Sequence, residues 1–219
     1  MAMKKILLVE GKDDENSIKH IWKAYALEIA FEIKNKEGIE NVLEETDLSL
    51  VDASSDLCLG IVIDADQDLS ARWDQILHIL QIAGYQNIPP SPDANGTIIQ
   101  EQYKPTFGVW IMPDNVTERG MLEDFLAFLV PNKETNKTWL AAEKGSEQIL
   151  AEVEQRNRFS EIHLSKAKIH AYLAWQEEPG KPFGLALTAK YLQPLNPHCE
   201  IFVGWLKSLF VDEEIAPLQ

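Results

Sequence analysis

The chain has 219 residues, 45% hydrophobic and 25% charged, with a formal net charge of −15. That is enough apolar material for one substantial core with a modest extension, or for two small units. The negative charge argues against non-specific grip on duplex nucleic acid, which needs a basic face that releases counterions; carboxylates approach phosphates when divalent cations lie between them.

Residues 4–9 read as a first strand whose apolar run Ile6-Leu7-Leu8-Val9 stops at Glu10 and Gly11. Lys4 and Lys5 precede too few apolar residues for a signal-peptide core, and no later run is long enough to span a bilayer, so a cytoplasmic protein is expected. Asp13, Asp14 and Glu15 suit the first turn of a helix, followed by Ile18, Ile21, Trp22 and Tyr25 at helical spacing. Ile29 to Lys34 alternates as a strand, and Gly38 opens a helical pattern through Ile39, Val42 and Leu43. Leu57 to Ile63 is the third strand, ending at Asp64-Ala65-Asp66. Trp73, Ile76, Leu77 and Leu80 form the apolar stripe of a crossover helix that ends near Gly84. The order to that point is β-α-β-α-β-α.

Prolines and Asn95-Gly96 make 89–96 a loop, with an edge strand from Thr97 to Gln100. Phe107 to Met112 is a buried strand that ends at Pro113-Asp114-Asn115, and a helix from about Gly120 follows. Beyond Pro131 the pattern becomes helical, with elements around Trp139, around Ile169 to Trp175 and around Phe202 to Leu209, and a turn at 177–182. The expected organisation is an α/β unit over 1–130 and a helical extension over 131–219. Cys58 and Cys199 form no metal spacing and read as buried, reduced thiols. His163 and His170 lack a zinc pattern, and the six tryptophans read as core.

In a doubly wound, mostly parallel sheet the carboxyl ends of the strands share the edge where ligands bind, so Glu10, Asp64 and Asp66 are expected to face one another. If the backbone stays extended, the i, i+2 spacing points Asp64 and Asp66 the same way. Gathering carboxylates repels unless a hard cation such as Mg2+ or Mn2+ joins them. Gly11 lets the chain turn and lets backbone approach a ligand. Helix capping is the plainer reading for Asp13 and Asp14.

Val9-Glu10-Gly11-Lys12-Asp13-Asp14 resembles the Glu-Gly-x-x-Asp motif of the Toprim superfamily, and Ile63-Asp64-Ala65-Asp66 resembles its Asp-x-Asp motif. The likeness covers roughly the first 130 residues. Met112 to Asn115, Gly120 to Asp124 and Ala174 to Gln176 further resemble an uncharacterised bacterial Toprim-related family. The resemblance implies a Toprim-like, Rossmann-type fold and a magnesium-dependent, nuclease-like hydrolase acting on the phosphodiesters of DNA or RNA. Glu10 would be the general acid or base, and Asp64 and Asp66 the metal ligands. Asp68, Asp114, Glu118 and Glu123 are candidates for a second metal or for supporting it, and Lys12, Lys166 and Lys168 for phosphate contact. Proteins of this kind work beside an ATPase or a nucleic-acid-binding domain, and no phosphate loop is present in this sequence, so such a partner would be separate. Two rivals stand beside this reading. One is a Toprim fold that binds or regulates without catalysis. The other is a receiver-like phosphoacceptor at Asp64, which fits less well because Gly11 interrupts the first acids and Lys104-Pro105 precedes its strand.

Overall fold

Three apolar runs form the centre of the sheet: β1 (Lys4–Val9), β3 (Leu57–Asp64) and β5 (Thr106–Met112). The computed structural model describes residues 3–52, 56–152 and 159–211. Shorter strands β2 (Glu32–Asn35) and β4 (Thr97–Ile99) close the edges, giving the order β2-β1-β3-β5-β4. Every pairing is parallel except β4 with β5. A mostly parallel sheet is buried on both faces, which is why β3 and β5 read as continuous apolar runs without alternation. This is the Rossmann-like α/β architecture expected from the strand and helix order.

The period-two alternation of each strand sends its side chains to two cores. Ile6, Leu8, Ile61, Ile63, Val109 and Ile111 pack with α2 (Ile39–Asp52) and α3 (Leu69–Ile82). Leu7, Val9, Val62, Trp110 and Met112 face the other side, which is covered by α1 (Lys12–Ala24), α4 (Leu122–Phe128), α5 (Lys137–Ala151), α6 (Leu164–Ala174), α7 (Phe183–Thr188) and α8 (Pro197–Phe210). The helices after residue 130 thus share one core with β1, β3 and β5. Residues 153–158 and 212–219 of the expected extension lie outside the described residues.

Glycine explains how α8 reaches the sheet. Gly60 and Gly108 are register partners on β3 and β5, and a Cβ at Gly108 would stand 2.4 Å from Leu209. At Gly60 it would meet Phe210 at 2.8 Å and Leu209 at 2.9 Å. Strand glycines mark such close approaches. Trp110 then fills the space beneath, with ring centroids 5.0 Å from Phe202 and 5.8 Å from Trp205.

Three sequence expectations need correction. The strand expected from Ile29 begins at Glu32, because Phe31 turns inward and stacks on Phe210 at 4.4 Å. Helix α7 follows the turn at 177–182 and was not anticipated; its six residues are too few to show a helical period. Trp175 is 55% exposed, unlike the buried Trp22, Trp73, Trp110, Trp139 and Trp205. Cys58 and Cys199 are free and buried, as expected. Among the described residues, no helix is long and apolar enough to cross a membrane.

Candidate functional site

Parallel pairing in register, with Val9 opposite Val62, makes β1 and β3 leave the sheet at the same edge. Their terminal acids meet there. Glu10 Oε1 accepts a hydrogen bond from the Asp64 backbone N–H at 2.7 Å, and Asp64 Oδ1 accepts one from the Leu122 N–H, the first residue of α4, at 2.9 Å. Asp14, in the first turn of α1, bonds back to the Gly11 N–H through Oδ2 at 3.0 Å. This is the capping expected of it. Glu123, in the first turn of α4, is 6% exposed, with Lys166 Nζ 3.4 Å from its carboxylate. Helix starts favour negative charge, so α1 and α4 both direct their amino ends at this group.

The electrostatics show that these acids sense one another. Asp64 is held well above the usual carboxylate range, first by burial and then by the charges of Glu10, Asp14, Glu123 and Asp66. Burial, then Glu10, push Asp14 up to about 7, against the opposing bond from Gly11. Glu10 is also raised by burial, although the Asp64 N–H and Arg72 act in the other direction. Carboxyls brought together out of water keep a proton longer because neither hydration nor a neighbour stabilises the anion.

Asp66 is placed differently from its expected position. Its φ of 54° ends the extended backbone on which same-side pointing with Asp64 depended. The chain turns here to reach α3, and Asp66 forms an isolated bridge with Gly120. Its carboxylate pairs with Arg72 Nη2 at 2.5 Å, while Arg72 Nε donates to the Asp64 carbonyl at 2.9 Å. The Arg72 side chain is only 10% exposed, so it works as a strap across the acidic turn. The Asp66 charge still reaches Glu10 and Asp64.

The other named residues divide by what they touch. Asp68 caps α3, accepting from the Ala71 N–H at 2.9 Å, and Asp114 closes its own turn by accepting from Val116 and Thr117. Glu118 is exposed, and its backbone carbonyl accepts from Leu69. Lys12 is exposed, Lys166 faces Glu123, and Lys168 is held by Glu143 and Glu147. Gly11 has an extended backbone at φ −137°, and its role is close approach: a Cβ would lie 3.1 Å from Asp14 Oδ2. Among the described residues, no group of three or more Asp, Glu, His or Cys side chains could hold a metal ion as it stands.

Sequence reading missed Arg72 and favoured capping for Asp14. For Asp14 the signal was available in the last position of the Glu-Gly-x-x-Asp motif. Arg72 gave no signal, since its partners come from a turn that only the fold creates. A cleft of about 720 Å³ opens beside Asp66, lined also by Arg119, Asp124, His163 and Ser165. No curated protein and no solved structure matches this chain. A family model described as a protein of unknown function, DUF3226, matches residues 4–211, and the chain belongs to that family.

Proposed function

We propose that this is a Toprim-related protein that uses Mg2+ or Mn2+ at Glu10, Asp64 and Asp66 to act on a phosphodiester of DNA or RNA. One observation carries the reading: Asp14 is buried, Glu10 and Asp64 are half-buried within electrostatic reach of it, and the loss of water raises the proton affinity of all three. Such a cluster costs stability at neutral pH unless positive charge arrives from outside. The donors suit a hard cation, being carboxylate oxygens, and Glu10 and Asp64 each spend one oxygen on a backbone amide. The group does not enclose an ion as it stands, and a bound cation would have to compete with the protons these carboxyls favour.

In this reading Glu10 gives or takes the proton, and its raised proton affinity brings it toward the range a general acid or base needs near neutrality. Asp64 and Asp66 would hold the metal, with Asp14 beside them. The bound metal would supply charge against that developing on phosphoryl oxygens. A separate ATPase or nucleic-acid-binding partner fits a chain whose net charge of −15 gives it little grip of its own. The second reading, a Toprim fold that binds or regulates without cleaving, is favoured by the Asp66–Arg72 pair, which occupies one of the ligands.

The test is a cleavage screen on single- and double-stranded DNA and RNA with Mg2+ or Mn2+. The expected outcome is metal-dependent turnover that falls at least a hundredfold in Glu10→Gln while the variant stays folded by circular dichroism. Binding without cleavage that is unchanged in Asp64→Asn/Asp66→Asn would favour the regulatory reading. Covalent uptake of phosphate at Asp64 from a small phosphodonor would favour the receiver-like one.

A further inference from the structure

A second cleft, of about 220 Å³, adjoins the acidic site through Glu123 and Asp124 and is lined also by Arg119, Lys133, Lys168 and Glu143, the last paired with Lys168. We propose that it binds a phosphate group on Arg119 and Lys133. Among the described residues the chain has two arginines, and they differ in one respect. The Arg72 guanidinium is fully committed, to Asp66, Gln75 and the Asp64 carbonyl. The Arg119 side chain forms no hydrogen bond or ion pair among the described residues, although the chain carries 35 acidic groups.

Arg119 is exposed, and the backbone on both sides of it is pinned. The Leu69 N–H donates to the Glu118 carbonyl at 2.8 Å, and Gly120 exchanges two hydrogen bonds with Asp66 at 2.9 and 3.0 Å. The preceding turn is closed by the Asp114 carboxylate on Val116 and Thr117. Lys133 has no carboxylate partner among the described residues either; its ammonium lies 5.6 Å from the Phe128 ring centroid and 5.2 Å from that of Trp139. The third cation, Lys168, is shared with Glu143 and Glu147. Two cations without acid partners, one on a pinned loop and one braced on aromatic faces, line one small cleft. A guanidinium fork with a nearby ammonium matches the oxygens of a phosphate.

The existence of this site does not depend on metal chemistry, but its place on a substrate rests on the reading above: the phosphate here would neighbour the one at the acidic group. The phosphate could belong to a nucleic-acid backbone or be free, and the experiment separates the two. Calorimetry and tryptophan fluorescence on the full chain in EDTA, titrated in parallel with inorganic phosphate and with a thymidine dinucleotide, give the affinities. Saturable uptake of at least one probe is expected, weakened at least tenfold in Arg119→Ala and in Lys133→Gln. Lys190→Gln, in a different cleft beside α1, should leave it unchanged. The tighter probe identifies the source. Absence of uptake of both probes, wild-type affinity in both cleft variants, or equal weakening by Lys190→Gln would overturn the proposal. Because EDTA removes divalent ions, phosphate uptake without metal-dependent cleavage would leave this site standing and sink only the catalytic reading.

Discussion

Strand β3 carries two contrasting places. Midway along it, Gly60 and its β5 partner Gly108 have no side chains, and α8 lies directly on the backbone. At its end, half-buried Asp64 has Glu10 and Asp14 for neighbours, an arrangement that raises the proton affinity of each. The first place favours folding through the packing of α8, at the cost of backbone entropy that strand glycines carry. The second works against it, a cost that the proposed function would explain.

The largest expected effect breaks the first place. Gly108→Val puts a Cβ 2.4 Å from Leu209 and should cost about 3 kcal/mol, read as a lower urea midpoint. It should also loosen α8 while leaving the acids at the strand end in place.

Asp14→Asn should act in the opposite direction. The Asp14 proton is held to about pH 7 in the folded chain, against an ordinary value of 3.8. Its contribution to stability is therefore fully present below pH 3.8 and lost as the pH rises through about 7. The amide cannot ionise and keeps an acceptor for the Gly11 N–H, so the metal-free variant should be more stable than wild type at pH 8, by on the order of 4 kcal/mol. At pH 4 the difference should be close to zero. Thermal unfolding at both pH values checks the sign.

A smaller effect separates capping from ligation. Asp68→Ala removes the bond to the Ala71 N–H and should cost about 1 kcal/mol, as caps do, with metal uptake unaltered. Weaker metal uptake in that variant would move Asp68 from the cap into the site.

How much of this was legible in the sequence depends on whether a signal is local. Apolar runs ending at Glu10 and Asp64 gave the parallel strands, their shared edge and the meeting of the two acids, because run length and chain turns are written in consecutive residues. Gly84 marked the end of α3, and its φ of 78° fits that role. The left-handed turn at Asp66 was not legible. It follows from a backbone bridge to Gly120 and from Arg72, both residues the fold brings together. Asp14 was half legible: its place in the Glu-Gly-x-x-Asp motif marked it, whereas its proximity to Glu10 and Asp64 is tertiary. The extent to which α8 completes the sheet was likewise hidden, since Gly60 and Gly108 read only as weak spots in two strands until Leu209 lies on them.

The central claim is that the acids at the ends of β1 and β3 are held together for a divalent cation. Calorimetric titration of Mg2+ or Mn2+ into wild type and Asp64→Asn/Asp66→Asn, repeated in buffers of different ionisation enthalpy, tests it most directly. The account predicts saturable uptake with proton release in wild type, because the cation would displace the proton that Asp14 holds to about pH 7 and compete with the raised proton affinity of Asp64, and at least tenfold weaker uptake in the double variant. Absence of saturable uptake in wild type, or identical isotherms for the two proteins, would contradict it.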